Sequence, residues 1–249
     1  MKKLKKLFGK VSGTAEDGST IYEYDELAQR DWLAPVYAEH MEEIEAYFEQ
    51  LYPNRETSVM HEILSDRLHL DVYVKYPTDE EPFYVLFTTG MSALRMNVPT
   101  EIPEYQNYEL AELMVYLPAD WELGKPGDLS SDIPEAGYWI IGYMKWLARF
   151  PHEYNTSLGT GHTIPNGADY EPFTAGTTLG GTLLTEMIEP LMLNDGSQIN
   201  FYYLTLAYQA EIEYKLQYGM DALLAKFEEA STPIVTDLTR PNVCESVLS

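Results

Sequence analysis

Between residues 35 and 51 the apolar positions recur at helical spacing. Tyr37, Met41, Ile44, Tyr47, Phe48 and Leu51 fall on one stripe, with His40 among them, while Glu39, Glu42, Glu43, Glu45 and Glu49 take the other face. The pattern predicts a helix that Pro35 opens and Pro53 stops. From His69 the period changes to two. Leu70, Val72, Val74 and Tyr76 alternate with His69, Asp71, Tyr73 and Lys75, which predicts a strand with one buried face and one that offers polar groups. After a Pro-bounded turn, the run from Phe83 to Thr89 is apolar on both faces, as a central strand would be, and the two strands read as an antiparallel hairpin. A third strand is predicted from Tyr108 to Leu117, with Ala111, Leu113, Val115 and Leu117 on one face. Glu112 stands among Leu110, Met114 and Tyr116, and if buried there it needs a cation or several donors to stay charged. Pro118 ends this strand, and Asp120 is expected to cap a short turn that carries Trp121.

Residues 124–137 read as an exposed polar loop. A helix follows at about 138–150, apolar around most of its circumference, and Pro151 is expected to end it. A strand near Thr182–Ile188, a turn at Asn194-Asp195-Gly196, a strand at Ile199–Leu206 and one long amphipathic helix from about 206 to 230 complete the pattern. The remainder reads as loop and tail. The interleaving predicts one α/β (α+β) domain over residues 30–238, a central mixed sheet flanked by helices, between a basic and polar tail at 1–29 and a C-terminal tail at 239–249.

Charge sharpens the reading. The formal net charge is −24, yet Lys2, Lys3, Lys5, Lys6 and Lys10 all lie in the first ten residues, which carry no acid. Residues 11–249 therefore hold 11 basic against 40 acidic groups, a net −29. Such a body repels phosphate backbones, which argues against nucleic acid, and steers any basic partner toward itself; plain solubility accounts for the same charge. The start, MKKLKKLFGK, lacks the apolar core of a secretory signal, and no apolar run is long enough to span a membrane. The lone Cys244 forms no intrachain disulfide, which fits a reducing, cytoplasmic setting.

Chemistry is thinly marked. The histidines at positions 40, 61, 69, 152 and 162 match neither HExxH nor a finger spacing, so no metal and no cofactor are expected. No GxSxG is present, and Gly90-Met91-Ser92 lacks the second glycine of a nucleophile elbow. Gly159-Thr160-Gly161-His162 reads as a tight turn with glycine at positive φ, not as a phosphate cradle. The residues that keep a claim to a site are Glu112, Asp120, Trp121, Arg149, His152 and His162. An enzyme or ligand-binding protein would use the Arg149, His152 and His162 region. A structural reading has Arg149 tying the helix end to the sheet through a nearby carboxylate.

Five motifs occur in order: Phe87-Thr88-Thr89-Gly90-Met91-Ser92; Met96-Asn97-Val98-Pro99; Ala111-Glu112-Leu113-Met114-Val115-Tyr116-Leu117-Pro118-Ala119-Asp120-Trp121; Leu147-Ala148-Arg149-Phe150-Pro151-His152; and Gly161-His162-Thr163-Ile164-Pro165. Together they resemble the suppressor-of-fused domain family over roughly residues 35–240. The resemblance implies a mixed α/β binding module and not an enzyme. The animal namesake clamps an extended peptide of a transcription factor between two domains. This chain is similar to the N-terminal domain alone, so no peptide-binding residue carries over. Bacterial single-domain relatives are proposed to be immunity proteins that neutralise toxins, which implies a toxin domain as partner. The acidic body suits a basic one.

Overall fold

The computed structural model describes residues 10–23, 40–62, 68–126 and 133–245, with the side chain of Glu135 excepted. The basic start and residues 35–39 of the first predicted helix lie outside these. A two-stranded antiparallel hairpin, β1 (Lys10–Thr14) and β2 (Thr20–Glu23), forms where the sequence reading placed a tail. Its turn is fixed by Asp17, which accepts from the Ser19 hydroxyl at 2.6 Å and the Ser19 N–H at 2.9 Å.

The body is one mixed sheet of eight strands. Its elements are α1 (Met41–Leu51), β3 (Thr57–Met60), β4 (Asp71–Lys75), β5 (Phe83–Thr89), β6 (Leu110–Pro118), α2 (Glu135–Tyr154), β7 (Thr163–Pro165), β8 (Gly181–Glu186), β9 (Leu191–Met192), β10 (Gln198–Ala207), α3 (Gln209–Tyr218) and α4 (Met220–Glu229). The strand order is β3-β4-β5-β6-β10-β8-β7, and β9 pairs with β10. Only the β6–β10 pair is parallel, with Tyr202 opposite Leu113; the other pairings of the described sheet are antiparallel. The β4–β5 hairpin stands as the alternation predicted.

Both faces of the sheet are covered. On one face Ile140, Ile141, Met144, Leu147 and Ala148 of α2 are fully buried in one core with Leu70, Val72, Val74, Leu113, Val115 and Leu204. On the other, Ile44 and Phe48 of α1 bury against Tyr73, Val85, Phe87, Met114 and Phe201, and the Phe48 and Phe87 rings stack 3.7 Å apart. Each such buried side chain contributes about 1.5–3 kcal/mol. This second layer corrects the reading of β4: its polar face is not open, because α1 crosses it, and Asp71, Tyr73 and Lys75 are all buried. Lys75 pairs with Glu49 of α1 at 2.5 Å.

Three boundaries differ from expectation. Helix α2 runs through Pro151 for one more turn and stops at Asn155, which adopts a left-handed conformation with φ 52°. Proline removes one helical hydrogen bond, but the last turn is held by the Phe150–Tyr154 ring contact at 4.7 Å and by His152. The predicted helix at 206–230 is two helices, broken at Gly219, whose φ of 90° and ψ of 167° no helix accommodates. The segment expected as loop and tail lies against the sheet: Thr236 N–H donates to the Tyr116 carbonyl at 2.9 Å, and Arg240 is buried on Glu211.

Candidate functional site

The turn at residues 88–92, where β5 runs into the 3-10 turn Met91–Ala93, brings together two of the six candidates, Glu112 and His152. Gly90 sits at φ 107°, and a Cβ there would lie 2.1 Å from the His69 carbonyl oxygen, so only glycine lets the two backbones touch. Glu112, from the middle of β6, reaches into this turn and is fully buried. It accepts from Thr88 Oγ1 at 2.7 Å, Gly90 N at 3.0 Å, Ser92 N at 2.9 Å and Ser92 Oγ at 2.6 Å. The sequence left a cation or several donors as alternatives, and the four bonds are donors. Burial pushes the Glu112 carboxyl up, and the Ser92, Thr88 and Gly90 bonds pull against it. Thr88 Oγ1 also accepts the Leu113 N–H at 2.9 Å, so the hydroxyl both receives from β6 and gives to it.

His152, on the last turn of α2, grips the same turn from the other side: its Nε2–H donates to the Met91 carbonyl at 2.9 Å. The second motif joins here too. Asn97 N–H donates to the Thr156 carbonyl and its side-chain amide to the Asn155 carbonyl, each at 3.0 Å, so that Met96-Asn97 closes over the end of α2. Glu112 and His152 thus meet on one loop, in fixing roles.

The other candidates lie apart from it. Arg149 pairs with the Glu62 carboxylate and donates to the Leu68 carbonyl at 3.3 Å, tying α2 to the start of β4. Trp121 donates its indole N–H to the Gly137 carbonyl at 3.0 Å and packs beside Trp139. Asp120 is exposed; the turn it was expected to cap is closed by the backbone, Trp121 N–H to the Pro118 carbonyl at 2.9 Å. His162 is exposed in a tight turn with Gly161 at φ 81°, where His162 N–H returns to the Gly159 carbonyl at 3.1 Å.

Two clusters escaped sequence reasoning. Glu211, at the start of α3, and Arg240 form a buried bidentate pair at 2.6 and 2.5 Å. Their separation along the chain carries no motif. His61, His69 and Asp71 also converge, with donor atoms all within 4.8 Å of one another. Part of that signal was legible, since the alternation puts His69 and Asp71 on one face of a strand. What it hid is that β3 turns back to bring His61 to them.

On the α1 side of the sheet a shallow groove of about 640 Å³ is lined by Tyr47, Leu51, Tyr108, Met187, Glu189 and Phe201, among others. Leu51, Tyr108 and Met187 are partly open to solvent there. Tyr47 donates to the Glu189 carbonyl at 2.7 Å, which fixes one wall.

The family model described as Suppressor of fused protein (SUFU) matches residues 66–241. Compared by sequence with curated proteins, the chain matches none. Among solved structures it is similar to a suppressor-of-fused homologue from Neisseria gonorrhoeae FA 1090, with TM-score 0.58 and 15% identity over 81% of this chain and 95% of that one. It is similar to a chain of the Sufu-Fu complex, with TM-score 0.59 and 14% identity over 82% of this chain and 91% of that one. Drosophila Suppressor of Fused matches with TM-score 0.59 and 15% identity over 87% of this chain but only 54% of its own.

Proposed function

This chain belongs to the suppressor-of-fused family, and on that premise we propose that it is a non-catalytic binding protein of the cytoplasm, an immunity protein that sequesters a basic toxin domain. The observation that carries the reading is the −29 balance of residues 11–249, on a chain whose groove mixes apolar and polar side chains and includes two carboxylates. Glu186 and Glu189 stand at that groove beside Leu51, Tyr108 and Met187. Apolar contacts supply affinity at the centre of an interface, and peripheral charge supplies approach rate and choice of partner. The groove is therefore assigned to a cationic segment of the partner that carries an aliphatic or aromatic side chain. The Neisseria relative, matched over 95% of its length, supports a bacterial single-domain form, and the Sufu-Fu complex supports protein binding as the family's mode of action.

The enzyme reading has less support. Glu112 accepts from backbone and hydroxyl donors of the 88–92 turn, Arg149 pairs with a carboxylate and His152 with a backbone carbonyl, and His162 stands apart from them. Among the described residues, no helix is long and apolar enough to cross a membrane.

Co-expression with the product of a neighbouring toxin gene tests the proposal. Rescue of growth and co-elution on a sizing column are expected, and both should weaken in Glu186→Lys/Glu189→Lys. Unchanged toxicity together with separate elution refutes the toxin reading. Rescue that the double substitution leaves intact moves the interface off the groove.

A further inference from the structure

We propose that His61, His69 and Asp71 form a binding site for one divalent transition-metal ion, zinc in the first instance. His61 Nδ1 lies 3.0 Å from Asp71 Oδ2, and His69 Nε2 lies 3.2 Å from Asp71 Oδ1. The donor atoms of all three residues fall within 4.8 Å of one another. A tetrahedral zinc with bonds of about 2.0–2.2 Å holds its ligand atoms about 3.3–3.5 Å apart. The His61 and His69 nitrogens each lie close to that edge length from Asp71, one at each carboxylate oxygen. His61, whose side chain is 69% exposed, has room to turn so that all three residues converge on one ion.

The donor set has the right character. Two imidazoles and one carboxylate are the mixed nitrogen and oxygen ligands that suit zinc and its neighbours and that magnesium and calcium do not favour. Asp71 is the fixed point. It is buried, it opens β4, and its Oδ1 accepts the Glu62 N–H at 3.0 Å, an outer contact of the kind that orients a ligating carboxylate. Nearby, Glu62 answers Arg149, and Lys145 donates to the Met60 carbonyl at 3.0 Å while its charge acts on both Glu62 and Asp71. Asp71 Oδ2 meets the His61 imidazole, a contact that an ion would replace with a stronger one. Three protein ligands leave a fourth position on the solvent side, where His61 stands. An ion there would clamp the end of edge strand β3 to the start of β4, on the sheet margin and away from the groove. This site is independent of the proposed toxin binding.

The full chain, stripped with chelator and titrated with zinc chloride, tests the proposal. One zinc per chain is expected by native mass spectrometry and calorimetry. His61→Ala and His69→Ala should each weaken it at least about tenfold, since loss of an outer-shell contact alone costs about 10–100-fold. His61→Ala keeps the test valid should His69→Ala perturb the fold, because an exposed ring contributes little to the apoprotein's stability. Zinc should also raise the melting temperature of the wild-type chain, and that of His61→Ala by less at the same zinc concentration. The site is refuted if the wild-type chain retains no zinc, if both variants bind as tightly as wild type, or if magnesium binds as well as zinc.

Discussion

Replacing Arg240 by alanine should destabilise the protein by about 3 kcal/mol or more, and the reason lies in what it leaves behind. The guanidinium makes both contacts to Glu211 and also donates to the Leu206 carbonyl at 2.8 Å and the Pro241 carbonyl at 3.1 Å. Its carbon lies 5.0 Å from the Tyr208 ring centroid and 5.2 Å from that of Phe227. Removing one member of a buried ion pair typically costs about 3–5 kcal/mol, because the other charge stays buried without its partner. Glu211 is fully buried, but it would keep two donors, Tyr208 N–H at 3.0 Å and Val243 N–H at 3.1 Å, which places the loss toward the lower bound. For a chain of this size that is a fall of about 6–12 °C in melting temperature. Urea melts of wild type, Arg240→Ala, Glu211→Gln and the double variant form the assay. The double variant should lose less than the sum of the single losses, since neither then strands a charge. A loss below about 1 kcal/mol for Arg240→Ala would refute the reasoning. Residues 232–245 would then peel away at no real cost, and water would reach Glu211.

Gly90→Ala forces a side chain into a conformation that costs about 1–3 kcal/mol even without the contact on the His69 carbonyl, so urea melts should show a loss of at least that size. For Glu112 the burial-raised carboxyl means that the folded state holds its proton more tightly than the unfolded chain. The contribution is fully present below the ordinary value of 4.5 and is lost as pH rises through the folded pKa. Melts of Glu112→Gln against wild type should therefore show their difference shifting in favour of Gln as pH rises from 4.5. Glu49 behaves in the opposite sense: the Lys75 hydrogen bond holds its carboxyl below 4.5, so its contribution is present above that value and disappears as pH falls below it. Glu49→Gln should flatten this acid limb by well under about 1 kcal/mol, because the carboxylate is more than half exposed.

What the sequence disclosed follows from the range over which each signal acts. The alternation in Leu70–Tyr76, the two-faced run Phe83–Thr89 and the apolar girth of α2 are local patterns, and each produced its element. The burial of Asp71 and Lys75 depends on α1 crossing β4, which no property of β4 itself announces. Pro151 misled because its neighbours, Phe150, His152 and Tyr154, hold a turn that proline alone would end. Gly219 was hidden by apolar spacing that continues across it from Leu216 to Met220. Glu112 was singled out correctly as a residue that needs partners, but the partners come from the loop after β5, and only the fold brings them there. The six site candidates were chosen for polarity beside apolar elements. They turn out to occupy four separate places, which polarity along a chain has no means of distinguishing.

The single parallel pairing of the sheet also governs how the chain comes together in time. Strands β3 to β6 follow one another in sequence and pair in that order, with no more than 20 residues between neighbours, whereas β6 waits for β10, with residues 119–197 between them. On a ribosome that adds about 5–20 residues per second, the β6 edge stays unpaired for several seconds after it emerges. Its run Leu-Ala-Glu-Leu-Met-Val-Tyr-Leu is a long apolar edge of the kind that recruits other strands. A nascent chain halted before Ile199 would present that edge to its neighbours, so aggregation of truncated products should begin at β6.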